Sequence, residues 1–264
     1  MKLTVGCTTR PYNNVAFAEI CQRIAAAGYT EVAVFSQAGL SAASMPAEVT
    51  QVRQMALDAG LKPSLVMGRA DLRAGLAAAT DEWRRWIDHA AALGAQWLLS
   101  TGVDRPELYE DFYALLSATA PYAGQAGIGV QVKPHGGLTL TSDDLIGMYQ
   151  RVNHPAFSIC YDPGNIIYYS VGAERPETNV ARVAPCARTA IIKDCVIVDG
   201  KPDVMVTPGE GLVDFPAVLG GLARGGFRGP LYLECVGGTT VDEIDANVRR
   251  TRGFIQGLLD QISA

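Results

Sequence analysis

Short apolar runs alternate with longer stretches of helical periodicity along the whole chain. The runs are rich in Val, Ile and Leu and mostly lack polar alternation, which is typical of parallel strands covered on both faces. Several of them follow a glycine placed where a helix C-cap is expected. The pattern predicts eight strands, over Leu3–Cys7, Glu31–Phe35, Pro63–Met67, Gln96–Ser100, Ile128–Lys133, Phe157–Tyr161, Thr189–Lys193 and Leu231–Glu234.

A helical pattern follows each predicted strand. The clearest helices are predicted over Val15–Ala27, Thr80–Leu93, Pro106–Gln125, Ser142–Arg151 and Val241–Leu259. The strand starts recur about every 30 residues, the length of one βα unit. Eight consecutive βα units predict an α/β fold, a single (β/α)8 TIM barrel. No linker or composition shift breaks the series, so we expect one domain over residues 1–264.

The spacing of the units is irregular only between the seventh and eighth strands. A segment at about 195–211 contains Asp199-Gly200, a pair that favours the tight turn of a β-hairpin. An insertion after a strand lies at the catalytic face of a barrel. The predicted hairpin is therefore expected to form part of a lid or a wall of the substrate site.

Composition narrows the class of protein. Hydrophobic residues make up 48% of the chain and charged residues 19%, as in a well-packed globule. The net charge of −5 argues against nucleic-acid binding, and no apolar run approaches the ~20 residues that cross a membrane. The N-terminal apolar run is too short for a signal peptide. The six cysteines lack metal-ligand spacing, which favours reduced thiols in a cytoplasmic protein.

Ionisable residues end the predicted strands in the second half of the barrel. The first four strands end in mostly uncharged polar residues, whereas the last four end at Lys133, Asp162, Lys193 and Glu234. Active sites of (β/α)8 barrels lie at the C-terminal ends of the strands. This asymmetry indicates that the second half of the barrel carries the chemistry.

Alternation along the strands predicts that these four side chains share one pocket. The residues two positions earlier on the same faces are Gln131, Cys160, Ile191 and Tyr232. Two cations facing two anions in one pocket would shift the pKa of each group, as acid–base catalysis near neutral pH requires. A structural ion pair between Lys193 and its neighbour Asp194 is the alternative for that cation.

Other polar residues near the strand ends have two interpretations each. His135 is a candidate catalytic residue or a partner for a loop. Asn165, in Asp-Pro-Gly-Asn, is a candidate substrate ligand or part of a turn. Glu210 is a candidate substrate ligand or a cap of the hairpin. Arg69 is a candidate for binding an anionic substrate group or a solvated surface residue.

Four motifs occur in a fixed order in the second half of the chain. They are CYDPGNIIYYSVGAERP on strand six, IIKDC on strand seven, TPGEGLVDF after it, and GPLYLE on strand eight. With these motifs the chain resembles, over essentially its whole length, the sugar phosphate isomerase/epimerase group of the xylose isomerase-like TIM barrels. The resemblance implies a (β/α)8 barrel that acts on a small-molecule carbohydrate.

The resemblance also implies a divalent metal held by Glu, Asp, His and Glu on strands five to eight. Asp162 and Glu234 match two of these positions. The strand-five position holds Lys133, and the strand-seven position, expected to be the His of an H-x-K-D segment, holds Ile191. Loss of two ligands, one of them to a cation, should weaken binding of the ion strongly.

Two explanations for this altered ligand set compete. In the first, the Lys133 ammonium replaces the charge of the metal, and the enzyme needs no cofactor. In the second, His135 joins Asp162 and Glu234 as a three-ligand site for Mn, Mg or Zn. We favour the first, because a neighbouring ammonium would repel a divalent cation.

The resemblance implies proton transfer next to the carbonyl of a sugar or sugar-like ketone, that is, an isomerase or epimerase. Glu234 is then the expected base and Lys133 the stabiliser of the oxyanion. Asp162 and His135 would orient the substrate or relay a proton, and Lys193 would be a second positive partner.

Two other functions stay open. Lys133 could form a Schiff base with a keto substrate, as in aldolase-type lyases. Alternatively, the barrel could bind a sugar without catalysis. DNA repair is not expected, because the chain has three histidines and an acidic balance. A homodimer is the expected form if the chain assembles, as for many enzymes.

Overall fold

The computed structural model describes residues 3–263, which form a closed barrel of eight parallel strands. The barrel strands are β1 (Val5–Thr8), β2 (Glu31–Val34), β3 (Lys62–Met67), β4 (Trp97–Ser100), β5 (Gly129–Val132), β6 (Phe157–Tyr161), β7 (Ala187–Ile192) and β10 (Leu231–Leu233). Between β7 and β10, the strands β8 (Val196–Val198) and β9 (Lys201–Asp203) form a separate hairpin. The order of the barrel strands is β1-β10-β7-β6-β5-β4-β3-β2. Pairing of Val5 with Leu231 closes the ring. The predicted (β/α)8 barrel is confirmed.

The helices lie between the strands in sequence and surround the barrel. They are α1 (Phe17–Ala26), α2 (Pro46–Asp58), α3 (Leu76–Leu93), α4 (Tyr109–Gln125), α5 (Ser142–Val152), α6 (Pro163–Ser170), α7 (Pro176–Val183), α8 (Phe215–Arg224) and α9 (Val241–Ser263). None of the helices in residues 3–263 is long and apolar enough to cross a membrane.

The boundaries of some elements differ from the predicted ones for local reasons. Helix α3 begins four residues before Thr80, because Ala79 is buried and the Thr80 hydroxyl donates to the carbonyl of Leu76 inside the helix. Thr80 thus lies inside the helix. Helix α4 begins after a 3-10 turn at Pro106–Leu108. Helix α5 begins where predicted, at a capping box formed by Thr141 and Asp144.

The interior of the barrel has its own small core, separate from the larger one under the helices. Its buried residues are Ala33, Phe35, Leu65, Leu99, Cys160, Ile191 and Tyr232. Gly6 faces this core, and a β-carbon there would lie 2.8 Å from the Tyr232 ring. Beside it the Gln131 amide bonds Ser158 at 3.0 Å and Thr189 at 2.7 Å. The barrel is therefore filled below the site, which lies at its mouth.

The insertion after β7 is a two-stranded antiparallel hairpin. Strands β8 and β9 pair only with each other in the described part of the chain. Their turn is Asp199-Gly200, both with positive φ (51° and 74°), as a type I′ turn requires. The hairpin lies at the C-terminal end of β7 and so on the same side of the barrel as the ionisable strand ends.

Candidate active site

The four ionisable residues predicted to share a pocket meet at the mouth of the barrel. Lys133, Asp162, Lys193 and Glu234 each come directly after a strand, β5, β6, β7 and β10 respectively. Because the C-terminal ends of neighbouring parallel strands lie at one edge, the four side chains converge. Their exposed fractions are only 2%, 0%, 3% and 5%. We call these four residues the ionic cluster.

Lys193 is fully engaged within the ionic cluster. Its Nζ donates to Asp162 Oδ2 at 3.0 Å, to Glu234 Oε1 at 2.7 Å and to Asn165 Oδ1 at 3.0 Å. An ammonium has three N–H groups. Each therefore has an acceptor, and Lys193 has no donor left for a substrate.

Lys133 uses only two of its three N–H groups, one fewer than Lys193. Its Nζ donates to Glu234 Oε2 at 2.5 Å and to Asp162 Oδ2 at 3.3 Å. These are the only acceptors for it among residues 3–263. The same nitrogen lies 5.9 Å from the centre of the Phe35 ring. One N–H of Lys133 is thus available to an added acceptor, such as a substrate oxygen.

Backbone and amide contacts hold the carboxylate of Asp162 in place. Asp162 caps helix α6, with Oδ1 accepting from the Asn165 backbone N–H at 3.0 Å. The Asn165 side chain in turn donates to the carbonyl of Pro134 at 2.7 Å and accepts from Lys193. Asn165 therefore reaches the ionic cluster as a ligand of Lys193, which joins the loop after β5 to the start of α6.

The charges of the ionic cluster reinforce one another. Burial alone would raise the pKa of Glu234, but the adjacent Lys133 and Lys193 charges hold it at about 2. Burial opposes the charge of Lys193, but the Asp162 and Glu234 carboxylates outweigh it and raise its pKa well above the ordinary value. In the absence of a substrate, Glu234 is therefore a weak base.

Asp194 does not pair with Lys193, its neighbour in sequence. Its buried carboxylate accepts four backbone N–H groups, those of Cys195, Gly209, Gly211 and Val213, at 2.8 to 3.0 Å. A β-carbon at Gly211 would lie 2.4 Å from Asp194 Oδ1, so only glycine fits there. The alternative of a Lys193–Asp194 ion pair is wrong, because this carboxylate ties down the segment that follows the hairpin.

His135 lies beside the ionic cluster, but in contact with an aromatic ring. Its ring centre is 4.8 Å from that of Tyr169 on α6. The loop allows this contact because Gly136 has a φ of +76°, and a β-carbon there would lie 2.8 Å from Tyr169. Burial, and then the charges of Lys133 and Lys193, lower the pKa of His135 to about 4. The imidazole is therefore neutral near pH 7.

Two cavities open at the mouth of the barrel beside the ionic cluster. One of about 450 Å³ is lined in part by Phe35, Met67, Arg69 and Trp86. The other, of about 610 Å³, is lined in part by Arg69, Thr101, Gly102, His135 and Tyr169. Neither is lined by the ionic cluster itself, but Phe35, in the smaller cavity, has its ring centre 5.9 Å from Lys133 Nζ, and His135, in the larger, follows Lys133 by two residues.

The two remaining predicted residues lie away from the ionic cluster. Arg69 is exposed and lines both cavities. Glu210 is exposed and forms an ion pair with Arg250 on α9 at 2.6 Å. The structure thus brings Arg69 to the cavities but does not bring Glu210 to either of them, because α9 holds its carboxylate outside the mouth.

Sequence reasoning missed Phe35, Tyr169 and the anchoring role of Asp194. Tyr169 follows Asp162 by seven residues, two turns along a helix that begins at the strand end, so it lies on the face toward the mouth. That spacing is a signal that could have found it. Nothing in the sequence distinguishes Phe35 from the other apolar residues of the barrel. All six cysteines are buried, and burial raises the pKa of Cys160 to about 12, so it is an apolar core residue.

The residues at the family's four metal-ligand positions do not fit a divalent cation. Lys133 and Ile191 occupy two of them, and the carboxylates at the other two are bonded to ammonium groups. Among the residues described, no three His, Cys, Asp or Glu side chains are grouped so that they could hold an ion. In particular, His135 faces Tyr169 and does not complete a site with Asp162 and Glu234.

Comparisons with known proteins extend the resemblance. A 3-oxo-isoapionate decarboxylase from Pectobacterium atrosepticum (strain SCRI 1043) is 25% identical over 219 residues, which cover 80% of this chain and 74% of that protein. A D-psicose 3-epimerase from Clostridium cellulolyticum H10, solved with D-tagatose, has a TM-score of 0.80 and 11% identity, covering 97% of this chain and 99% of that one.

A third similar protein carries a metal. A xylose isomerase-like TIM barrel protein from Mycobacterium smegmatis, solved in complex with magnesium, has a TM-score of 0.79 and 16% identity, covering 100% of this chain and 98% of that one. Structural likeness at such identities shows a shared fold. The sequence profile described as xylose isomerase-like TIM barrel matches residues 21–257. The chain therefore belongs to the xylose isomerase-like TIM barrel family.

Proposed function

We propose that the chain is an enzyme that isomerises or epimerises a sugar or sugar-like ketone by proton transfer next to the carbonyl, with an ammonium in the role of a metal. The unused N–H of Lys133 carries this proposal. It is a buried cationic donor at the mouth of the barrel, where charge on a developing oxyanion is stabilised most. The sugar epimerases with the same fold support the substrate class.

In the proposed reaction, the carbonyl oxygen of the substrate accepts a hydrogen bond from Lys133. Removal of the adjacent C–H proton places negative charge on that oxygen, giving an enediolate beside the ammonium. Glu234 is the proposed base. Return of the proton to the former carbonyl carbon, with the hydroxyl proton of the deprotonated carbon moving to the former carbonyl oxygen, gives the isomer, and protonation of the deprotonated carbon on its opposite face by solvent gives the epimer. Lys193 and Asn165 keep Asp162 and Glu234 in position.

The low pKa of Glu234 has to rise for this step, and substrate binding supplies a reason. Lys133 Nζ donates both to Glu234 Oε2, at 2.5 Å, and to Asp162 Oδ2, at 3.3 Å. A substrate oxygen that attracts the Lys133 ammonium weakens its bond to Glu234 Oε2. With one cation withdrawn, the desolvation that acts on the buried carboxylate raises its pKa. Glu234 then becomes a base only when a substrate is bound.

Deuterium exchange tests this proposal whichever product the reaction gives. The protein is incubated in D2O with D-fructose, D-tagatose, D-psicose and L-ribulose, and NMR follows loss of the proton next to the carbonyl. Exchange by the wild type, and its loss by 100-fold or more in Lys133→Met and Glu234→Gln, is expected for an oxyanion donor and a base. Exchange at the wild-type rate in either variant would contradict the assigned roles.

Decarboxylation of a sugar-derived 3-keto acid is a second candidate. The low pKa of Glu234 favours it, because loss of CO2 needs a cation to accept charge but no base in its first step. The bond between the carboxylate and its carbon breaks, the electron pair moves to the carbonyl oxygen beside Lys133, and the enolate carbon then takes a proton. The 25% identical decarboxylase supports this alternative.

Three measurements separate the remaining possibilities. Release of CO2 from a 3-keto sugar acid, with no deuterium exchange into the ketoses, would favour the decarboxylase. Mass spectrometry after borohydride treatment would detect a Schiff base on Lys133. We expect no such adduct, because the Lys133 nitrogen is engaged by two carboxylates, at 2.5 and 3.3 Å, and is not free to attack a carbonyl. Thermal shift by a sugar that is never turned over would favour a binding protein.

A further inference from the structure

Arg69 lies between the two cavities at the mouth of the barrel. It follows β3 by two residues and lines both cavities, which measure about 450 and 610 Å³. Each volume is in the range of pockets that hold small molecules. Arg69 is thus a cationic side chain shared by the two cavities at the barrel mouth, as is Arg73.

Each cavity is lined by one side chain that is close to Lys133 in space or in sequence. Phe35 lines the smaller cavity, and its ring centre is 5.9 Å from Lys133 Nζ. His135, two residues after Lys133, lines the larger cavity together with Tyr169. A ligand that extends from Arg69 toward Lys133 therefore passes along aromatic rings, which pack well against the C–H groups of a carbon chain.

The guanidinium of Arg69 makes no ion pair within residues 3–263, whereas its neighbour Arg73 does. Arg73 binds Asp71 through two parallel bonds, at 2.7 and 2.8 Å, which neutralise its charge. The backbone of Arg69 is held in place, because its carbonyl accepts the indole N–H of Trp86 at 2.8 Å. The position of Arg69 is fixed while its charge stays available.

Acidic residues at the cavities limit what Arg69 can bind. Glu82 in the smaller cavity accepts the backbone N–H of Asp71 at 2.8 Å. Asp104 lines the larger cavity at an exposed position. A free carboxylate at the rim disfavours a ligand that is anionic along its length but tolerates one with a single anionic end.

We propose that Arg69 binds the anionic end, a carboxylate or a phosphate, of a sugar-derived substrate that spans the aromatic wall of His135 and Tyr169. A guanidinium binds either group through two parallel hydrogen bonds. The assignment of the other end of this substrate to Lys133 rests on the proposed function. The binding of the anion does not, because it depends on Arg69 and the cavities alone.

Matched neutral and anionic probes test this inference. D-Fructose, D-fructose 6-phosphate and 5-keto-D-gluconate are titrated against the wild type, Arg69→Gln and Arg224→Gln. Binding is measured by calorimetry and by the fluorescence of Trp83 and Trp86, which line the two cavities. Arg224 is the charge-matched control, because it lines a cavity with Leu3 and Ile262 at the opposite end of the barrel.

We expect at least one anionic probe to bind about tenfold or more tightly than D-fructose, as a charge-assisted pair predicts. Arg69→Gln should remove that difference and Arg224→Gln should keep it. The phosphate and keto-acid arms distinguish the two anions. Equal binding of neutral and anionic probes, or an anion preference unchanged in Arg69→Gln, would overturn the inference. Lys133→Met separates the two proposals, because it should lose turnover but keep the anion preference.

Discussion

Lys133 and Glu234 are 101 positions apart in sequence, yet Lys133 Nζ donates to Glu234 Oε2 at 2.5 Å. The bond joins the ends of β5 and β10 across the mouth of the barrel, past the two strands between them. Asp162 and Lys193, which follow those two strands, complete the network. A substitution at any one of the four therefore alters the charge balance of the other three.

Removal of Lys193 should destabilise the fold more than removal of Lys133. Lys193 satisfies three acceptors, including Asn165, and Lys133 satisfies two. Loss of one partner from a buried ion pair costs about 3–5 kcal/mol. Urea unfolding of Lys193→Met and Lys133→Met measures the difference in the free energy of unfolding. A Lys133→Met variant that is the less stable of the two would show that the extra bond of Lys193 is not formed.

Restoring the family's ligands should create a metal site. In Lys133→Glu combined with Ile191→His, the four positions carry side chains of the expected types, and the Lys133 ammonium is gone while Lys193 remains. Unit charges about 4 Å apart interact by roughly 4 kcal/mol at an effective dielectric constant of 20, and a divalent ion doubles this. We expect the double variant to bind Mn2+ at least about 100-fold more tightly than the wild type, measured by calorimetry.

The single variant Ile191→His is the control for that gain. It adds a ligand but keeps Lys133 beside the two carboxylates. Mn2+ binding by Ile191→His as tight as that by the double variant would mean that the Lys133 charge does not oppose the ion.

Stability should fall in two stages as the solution is acidified. The pKa of His135 is about 4 in the folded chain and 6.5 ordinarily, so between these values the unfolded chain takes up a proton that the folded chain refuses. The pKa of Glu234 is about 2 against an ordinary 4.5, so its stabilising effect is complete above about pH 4.5 and disappears as the pH falls toward 2. Thermal melting between pH 7 and pH 2.5 measures both stages.

Two variants show which residue causes each stage of the loss of stability. His135→Asn should reduce the loss of stability between pH 6.5 and pH 4, with a remainder from His89, whose pKa burial also lowers. Glu234→Gln should reduce the loss below pH 4.5, with a remainder from Glu243, whose pKa backbone hydrogen bonds hold at about 2. A pH profile of His135→Asn identical to that of the wild type would show that His135 titrates normally.

Asp194→Asn should destabilise the fold by several kcal/mol. The carboxylate accepts four backbone N–H groups, and an amide replaces one acceptor oxygen by a donor that faces two of them. A hydrogen bond to a charged group contributes about 1.5–3 kcal/mol. Asp203→Asn is the matched control, since Asp203 accepts one N–H at an exposed position in the hairpin. Equal free energies of unfolding for the two variants would contradict the anchoring role.

The sequence was sufficient to predict the barrel and the convergence of the ionic cluster. The barrel follows from the repeated βα unit. The convergence follows from the alternation of side chains along each strand, which fixes the face toward which a charged residue directly after the strand points. The hairpin turn was also predictable, because Asp-Gly is a pair that favours positive φ at both positions, and Asp199 and Gly200 adopt it. These features depend on a few neighbouring residues or on a pattern repeated along the chain.

The hydrogen-bond and ion-pair partners of individual site residues could not be predicted from the sequence. Lys193 and Asp194 are adjacent in sequence but do not pair, because the Asp194 carboxylate accepts backbone N–H groups from the segment that follows the hairpin. Glu210 lies in the motif that follows the hairpin, yet Arg250 of α9 holds it outside the mouth. Each outcome depends on which residues tertiary packing brings into reach, and no local pattern encodes that.

The anchoring of the hairpin by one carboxylate has a consequence for engineering. Strands β8 and β9 add nothing to the barrel sheet, and both ends of the insertion are fixed at Asp194 through the N–H groups of Cys195 and Val213. The stretch between Cys195 and Gly209 can therefore be exchanged as a cassette of different length and chemistry, while Gly209 and Gly211, which also bond Asp194, stay in place. A library of such cassettes would vary the surface on this side of the barrel while leaving the ionic cluster and its strand ends unchanged in sequence.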